Sequence, residues 1–156
     1  MSVFLTPEAL SLLSDHTTVK ILTTVDGDGA PHAVVKQSLH ADDTGRRLYY
    51  LELLDTSATN RNLVRGIWYD GRVAVTLAGS DGRSIQIKGR PVKNHVTGPL
   101  FAEQYRRVRD LYGDVDLAGV WEIEPEAVID QSIGARRTTE AALHPAFVHL
   151  DRIARA

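Results

Sequence analysis

Tight turns separate short apolar segments along the first 92 residues, and this pattern limits the fold more than any other feature of the sequence. Each of three turns carries aspartate and glycine: DGDG (26–29), ADDTG (41–45) and SDGR (80–83). Aspartate and glycine readily adopt the backbone conformations that hairpin turns require. The segments beside the turns are rich in Val, Ile, Leu, Thr and Tyr. We predict five strands there: 19–25, 31–40, 46–54, 73–79 and 84–92.

Helical spacing of apolar residues is confined to a few other segments. We predict helices over 7–13, 62–69 and 97–112, and two more strand-like pieces on either side of the proline in 118–133. Several short antiparallel strands with one long helix inserted late are typical of a small barrel. The predicted fold is therefore a mainly β, antiparallel barrel with flanking helices, and a β-sandwich is the alternative. The length suits a single domain over residues 1–156.

Composition excludes several classes of function. The formal net charge is -2, so no general attraction to nucleic acid or to an anionic membrane is expected. The chain has no cysteine, which excludes disulfides, thiolate zinc sites and a cysteine nucleophile. No apolar run approaches the ~20 residues of a membrane span, and the segment MSVFLTPEAL lacks the features of a signal peptide. We therefore expect a cytoplasmic protein without nucleic-acid or membrane partners.

The motifs of metal binding and hydrolysis are missing from the sequence. The histidines form no pair with the spacing of helical metal ligands; His144 and His149 are the nearest neighbours, and Pro145 lies between them. Asp26 and Asp28 lack the further ligands of a calcium loop, so we expect no metal. There is no G-x-S-x-G elbow, no P-loop and no glycine-rich dinucleotide fingerprint before a helix. These patterns single out no catalytic side chain.

A polar run follows the third predicted strand, within the segment LLDTSATNRNLVRG (53–66). Its threonines, serine and first asparagine stand just before the helix predicted over 62–69. Hydroxyl groups and free backbone N–H groups at a helix start suit a phosphate or another anion. The same residues also suit a simple helix cap in a solvated loop. The residues alone leave both interpretations open.

The order of these pieces resembles the pyridoxamine 5′-phosphate oxidase-like FMN-binding split-barrel family. The resemblance runs from about Val19 to Val92, with a looser match to about Ile129. It rests on five pieces in this order: ILTTVDGDGAPHAVV, LYYLELL, TSATNRNLVRG, DGRVAVTL and IQIKGRP. The resemblance implies an antiparallel split β-barrel that binds FMN. It also implies a homodimer in which the two protomers share the flavin site.

In such proteins the polar run after the third strand holds the flavin phosphate, and the second strand lines the isoalloxazine ring. Carried over by position, the phosphate candidates are Thr56, Ser57, Thr59, Asn60 and Arg61. The ring candidates are Lys36, Gln37 and Ser38. A positive charge such as that of Lys36 near the N1–C2 side of the ring favours the reduced, anionic flavin.

The activity that the resemblance implies is that of a flavin-dependent oxidoreductase. It would act on a small molecule, with an electron donor such as NAD(P)H. One position departs from the family, since many relatives carry a lysine where this chain has Thr59. Arg61 is then the nearest cation that could neutralise a phosphate. The departure is also consistent with weak flavin binding, with binding of the deazaflavin F420 or with an empty site. The alternative function is a flavin-, F420- or haem-binding carrier or sensor without turnover.

Overall fold

One antiparallel sheet of seven strands forms the body of the protein. A computed structural model describes residues 2–146. The strands are β1 (Val19–Val25), β2 (Pro31–Val35), β3 (His40–Ala41), β4 (Leu48–Glu52), β5 (Val73–Ala78), β6 (Ser84–His95) and β7 (Gly119–Asp130). Their order is β2-β1-β5-β6-β7-β4-β3, and all pairs are antiparallel. The sheet curls into a split barrel, which confirms the predicted fold class; the described strands form one sheet, not the two of a sandwich.

Within residues 2–146, four helices flank the sheet: α1 (Pro7–Ser14), α2 (Ala58–Trp68), α3 (Pro99–Tyr112) and α4 (Ile133–Leu143). The start of α1 agrees with its sequence, because Thr6 Oγ1 accepts a hydrogen bond from the Ala9 N–H at 3.2 Å and Pro7 occupies the first turn. The helix predicted over 97–112 is confirmed as α3. The last helix, α4, lies where the sequence predicted none.

The strand predicted over 31–40 was too long. It ends at Val35, because the next residues form a turn in which the Leu39 N–H donates to the Lys36 carbonyl oxygen at 3.1 Å. The side chain of Gln37 holds this turn in place. Its Nε2 donates to the Thr18 carbonyl oxygen at 2.9 Å, and its Oε1 accepts from the Lys20 N–H at 2.9 Å. Residues 40–41 then form the separate strand β3, which pairs with β4.

The two strand-like pieces predicted in 118–133 are one strand with a bulge. Gly89 of β6 is paired with Pro125, and the preceding Lys88 is paired with Ala127, so Glu126 is the extra residue on β7. Proline cannot donate a hydrogen bond to a sheet, and it is tolerated at bulges for that reason. The proline therefore interrupts the pairing register without ending the strand.

The main core lies between the sheet, α1 and α2. Its largest fully buried side chains are Trp121 of β7 and Tyr50 of β4, which are paired residues on neighbouring strands. Leucines from α1, α2 and the strands surround them: Leu12, Leu22, Leu39, Leu48, Leu63 and Leu77. A smaller cluster of Val108, Leu117 and Val120 joins α3 to β7. Burial of Trp121 against α2 positions the polar start of that helix.

Gly89 provides a test of the pairing between β6 and β7. A Cβ atom at this position would lie 2.5 Å from the Glu124 carbonyl oxygen, which is closer than real contacts allow. Because that oxygen belongs to the backbone of β7, Gly89→Ala is expected to lower the free energy of unfolding by about 1–3 kcal/mol. Gly134→Ala in α4 is the control, since an added Cβ meets nothing within 4 Å there. Urea denaturation should show the control to be at least as stable as the wild type; equal stability of the two variants would contradict the packing at Gly89.

Candidate functional site

A buried carboxylate lies where β4 ends and the chain turns towards α2. Tyr50 and Glu52 are two residues apart on β4, so their side chains point to the same face, and they are 1% and 2% exposed. The Tyr50 hydroxyl donates a short hydrogen bond to Glu52 Oε2. The Ser57 hydroxyl donates to the same oxygen at 2.7 Å, and the Leu54 N–H donates to Glu52 Oε1 at 3.0 Å. Three donors therefore converge on one carboxylate.

The polar run forms the first turn of α2. Ser57 is the N-cap, and its Oγ accepts a hydrogen bond from the Asn60 N–H at 3.0 Å. Asn60 Oδ1 accepts from Trp121 Nε1 at 2.9 Å, and Asn60 Nδ2 donates to the Asp55 carbonyl oxygen at 2.8 Å. The helix predicted over 62–69 thus begins already at Ala58, because this cap is satisfied within the chain.

The two threonines of the polar run and Arg61 differ in their exposure to solvent. Thr59 is 1% exposed, whereas Thr56 and Arg61 are exposed. Arg61 Nη1 donates to the Thr56 carbonyl oxygen at 2.6 Å. Among the described residues no carboxylate lies within ion-pair distance of Arg61. Its positive charge is therefore available to an anion at the start of α2.

The ring candidates lie in the turn after β2. Lys36 Nζ is 5.1 Å from the centre of the Tyr50 ring, a cation–π contact, and no carboxylate of residues 2–146 forms an ion pair with it. Ser38 Oγ accepts from the Leu51 N–H at 3.1 Å and lies 3.4 Å from the Leu51 carbonyl oxygen. The amide of Gln37 is bonded to the backbone of Thr18 and Lys20. Of these three side chains, Lys36 has the polar group that is free to meet a ligand.

A continuous chain of contacts joins the two sets of candidates. It runs from Lys36 over the ring of Tyr50, through Glu52, to Ser57 at the start of α2. Burial raises the pKa of the Tyr50 hydroxyl. The hydrogen bond to Glu52 and the negative charge of Glu52 raise that pKa further. The Tyr50 hydroxyl therefore remains protonated and acts as a donor to Glu52.

Tyr50 and Glu52 were not among the residues predicted from the sequence. The available signal was the alternation along β4, which places Leu48, Tyr50 and Glu52 on one face. A glutamate on the buried face of a strand needs hydrogen-bonding partners. That signal predicts a buried polar contact, but it does not identify Ser57 as the partner.

The two ends of this site differ in how well they fit a flavin. At one end Lys36 offers a cation that suits the polar edge of an isoalloxazine ring, whereas the Tyr50 ring beneath it is buried in the core and meets no ligand. At the other end Arg61 offers a positive charge to a phosphate, whereas the polar groups of Ser57 and Asn60 already have partners within the chain. The residues therefore offer the ring mainly the charge of Lys36, and they offer the phosphate mainly Arg61 and the first amides of α2.

Three other features of the described residues were candidates for function: a cleft, a metal site and a membrane-spanning helix. A cleft of about 180 Å³ lies beside the far end of α2, lined by Thr24, Asn62, Arg65, Tyr69 and Arg72 among others. Within residues 2–146 no group of three His, Asp or Glu side chains could hold a metal, and His149 lies outside the described residues. In the same part of the chain, none of the helices has the length and apolar character needed to cross a bilayer.

Solved structures match the fold of this chain. No protein-family model and no curated protein matches it. HupZ of Group A Streptococcus is 19% identical with a TM-score of 0.68, over 85% of this chain and 98% of that one. A candidate pyridoxamine 5′-phosphate oxidase of Lactobacillus delbrueckii is 22% identical (TM-score 0.60, 81% and 93% covered). An FMN-binding protein of Syntrophomonas wolfei is 13% identical (TM-score 0.65, 80% and 84% covered).

The same fold occurs in proteins described with other cofactors. An F420 reductase is 18% identical, and HutZ, the haem storage protein of Vibrio cholerae, is 14% identical; each has a TM-score of 0.58. They cover 80% and 82% of this chain and 98% and 95% of their own lengths. The chain therefore has the split-barrel fold of the pyridoxamine 5′-phosphate oxidase-like proteins, as the resemblance implied.

Proposed function

We propose that this protein binds a flavin, FMN in the first place, between Lys36 and the start of α2. We propose further that it is a flavin-dependent oxidoreductase acting on a small molecule, with a donor such as NAD(P)H. The observation that carries the proposal is the chain Lys36–Tyr50–Glu52–Ser57, which links the ring candidates to the phosphate candidates. A shared fold with an FMN-binding protein supports it.

The chain's own residues would bind and orient the cofactor. Lys36 would face the polar edge of the ring, where its charge stabilises the reduced form, and Arg61 would face the phosphate. The flavin itself supplies the hydride and electron chemistry when bound. The Tyr50 hydroxyl is committed to Glu52 and buried. It therefore serves to position the carboxylate, and we assign it no proton-transfer step.

The absorption spectrum of the purified protein tests this function directly. A flavin spectrum is expected, with the cofactor identified by mass spectrometry after heat release. Bleaching of that spectrum by NADH or NADPH, and its recovery with an acceptor, would support the oxidoreductase. Failure of the protein to bind either FMN or riboflavin in titrations would contradict the proposal.

The second candidate is a binding module without turnover for flavin, F420 or haem. It is favoured by Thr59, because the resemblance implies a lysine at this position and the chain has a buried, uncharged side chain there. Structural neighbours that include an F420 reductase and a haem storage protein support this alternative. A bound cofactor that does not respond to nicotinamide reductants would favour the module over the enzyme.

We also propose a homodimer that shares the flavin site between protomers. Trp68 and Tyr69, at the end of α2, are 78% and 72% exposed, and aromatic side chains are enriched in the cores of subunit interfaces. Sedimentation is expected to give twice the chain mass of 17.2 kDa. Trp68→Glu should shift the protein towards the monomer, whereas Tyr112→Glu on α3 should not. A monomeric wild type holding stoichiometric flavin would contradict the shared site.

A further inference from the structure

The charge of Glu52 lies at the end of the site where an anion would bind. This carboxylate is 2% exposed, and it accepts hydrogen bonds from three donors of the chain. An ionised carboxylate has only acceptor oxygens, so this set of donors suits its charged form. No Lys, Arg or His of the described chain forms an ion pair with Glu52. Its negative charge is therefore not compensated by a cation.

Glu52 also takes the groups that a phosphate would use. The single hydroxyl hydrogen of Ser57 is donated to Glu52, while the Ser57 oxygen accepts from the Asn60 N–H. Ser57 therefore has no hydrogen left for a ligand unless it releases Glu52. The Leu54 N–H, in the loop before α2, is likewise directed at the carboxylate. An incoming phosphate would meet a fixed negative charge one hydroxyl group away from the helix start.

We infer that Glu52 opposes the binding of a phosphate at this end of the site, and so reduces the preference for FMN over a flavin with an uncharged tail. The inference rests on the proposed flavin function for the identity of the ligand. Arg61 and Glu52 then act in opposite directions on the same phosphate. The wild type should therefore prefer FMN over riboflavin less strongly than a variant without the charge of Glu52 does.

Glu52→Gln removes the charge while preserving the size of the side chain, and it is the variant that tests the inference. We expect FMN to bind at least about ten-fold more tightly to it than to the wild type, because a buried charge acts strongly on a nearby dianion. Riboflavin should change by less than about two-fold, since it carries no phosphate. Asp55→Asn is the matched control: it removes an exposed charge of the same loop, which solvent and salt screen, so FMN affinity should hardly change.

A second variant and a second ligand keep the test decisive. If Glu52→Gln does not fold, the double variant Tyr50→Phe/Glu52→Met removes the charge together with the buried Tyr50 donor, and it leaves the Ser57 hydroxyl free to donate to a phosphate. Equal changes for FMN and riboflavin, or no change for either, would overturn the inference. If no variant binds a flavin, the proposed function fails. The effect of Glu52 on anion binding is then tested with inorganic phosphate. At constant ionic strength it should raise the melting temperature of Glu52→Gln more than that of the wild type; equal shifts would overturn the inference.

Discussion

Arg61→Ala is expected to weaken FMN binding about 10- to 100-fold and to leave riboflavin binding almost unchanged. A charge-assisted hydrogen bond contributes about 1.5–3 kcal/mol, which corresponds to one to two decades in affinity. Arg61 is the exposed cation at the start of α2, and among the described residues no carboxylate offsets its charge. Since riboflavin lacks the phosphate, the ratio of the two dissociation constants isolates this contact. Parallel fluorescence titrations with the two flavins measure it.

Arg65→Ala provides the matched control for Arg61. Arg65 lies one turn further along α2, is also exposed, and stacks over the Tyr69 ring at 4.8 Å. Its removal changes the net charge by the same amount at the far end of the helix, so the ratio of FMN to riboflavin affinity should stay near that of the wild type. Equal losses of FMN and riboflavin in Arg61→Ala would place the phosphate elsewhere. Equal effects of the two arginines would show a general charge effect instead of a contact.

Trp121→Ala is expected to lower the free energy of unfolding by about 3–5 kcal/mol, the range for removal of a buried tryptophan. Trp121 is fully buried in the main core and pairs with Tyr50 across β7 and β4. Its Nε1 also donates to Asn60 Oδ1, so the same side chain fixes the first turn of α2. Denaturation in urea, followed by far-ultraviolet circular dichroism, measures the loss.

Trp121→Phe separates the packing of this side chain from its hydrogen bond. Phenylalanine retains most of the apolar volume but leaves Asn60 Oδ1 without its donor, so a smaller loss of about 1–3 kcal/mol is expected. Trp121→Ala should therefore be the less stable of the two variants. If both variants lose the same amount, the hydrogen bond to α2 matters more than the packing. If neither variant is destabilised, the position of Trp121 in the core is wrong.

Local turn chemistry made much of the fold predictable. The Asp-Gly turns at 26–29 and 80–83 lie between β1 and β2 and between β5 and β6, as predicted. Where a side chain bonds to a distant segment, the prediction failed. The strand predicted over 31–40 stops at Val35 because Gln37 bonds to the start of β1. Likewise, nothing near Pro125 in the sequence shows that β6 continues beside β7 through a bulge.

The candidate site shows the same difference between local contacts, which could be predicted, and contacts with distant segments, which could not. Ser57 as a helix cap could be predicted from its own neighbourhood, because a cap bonds within three residues. Glu52 could not be recognised as the partner of Ser57, since the contact depends on how the end of β4 meets α2. Whether the eight residues predicted to bind a flavin do so remains a prediction. Among the described residues, Lys36 and Arg61 form no ion pair with a carboxylate. The side chains of Gln37 and Asn60 are hydrogen-bonded within the chain.

The strand order also governs how this chain can reach its native state. The hairpins β1–β2 and β5–β6 form from neighbouring residues, but β4 and β7, which pair in the sheet, are separated in the sequence by α2, β5, β6 and α3. Sheets that depend on such distant pairings fold slowly, on a scale of roughly milliseconds to seconds. Closure of β4 onto β7 also brings Trp121 to Asn60. The flavin site should therefore be among the last parts of the protein to form, so a cofactor would be captured by an almost fully folded chain.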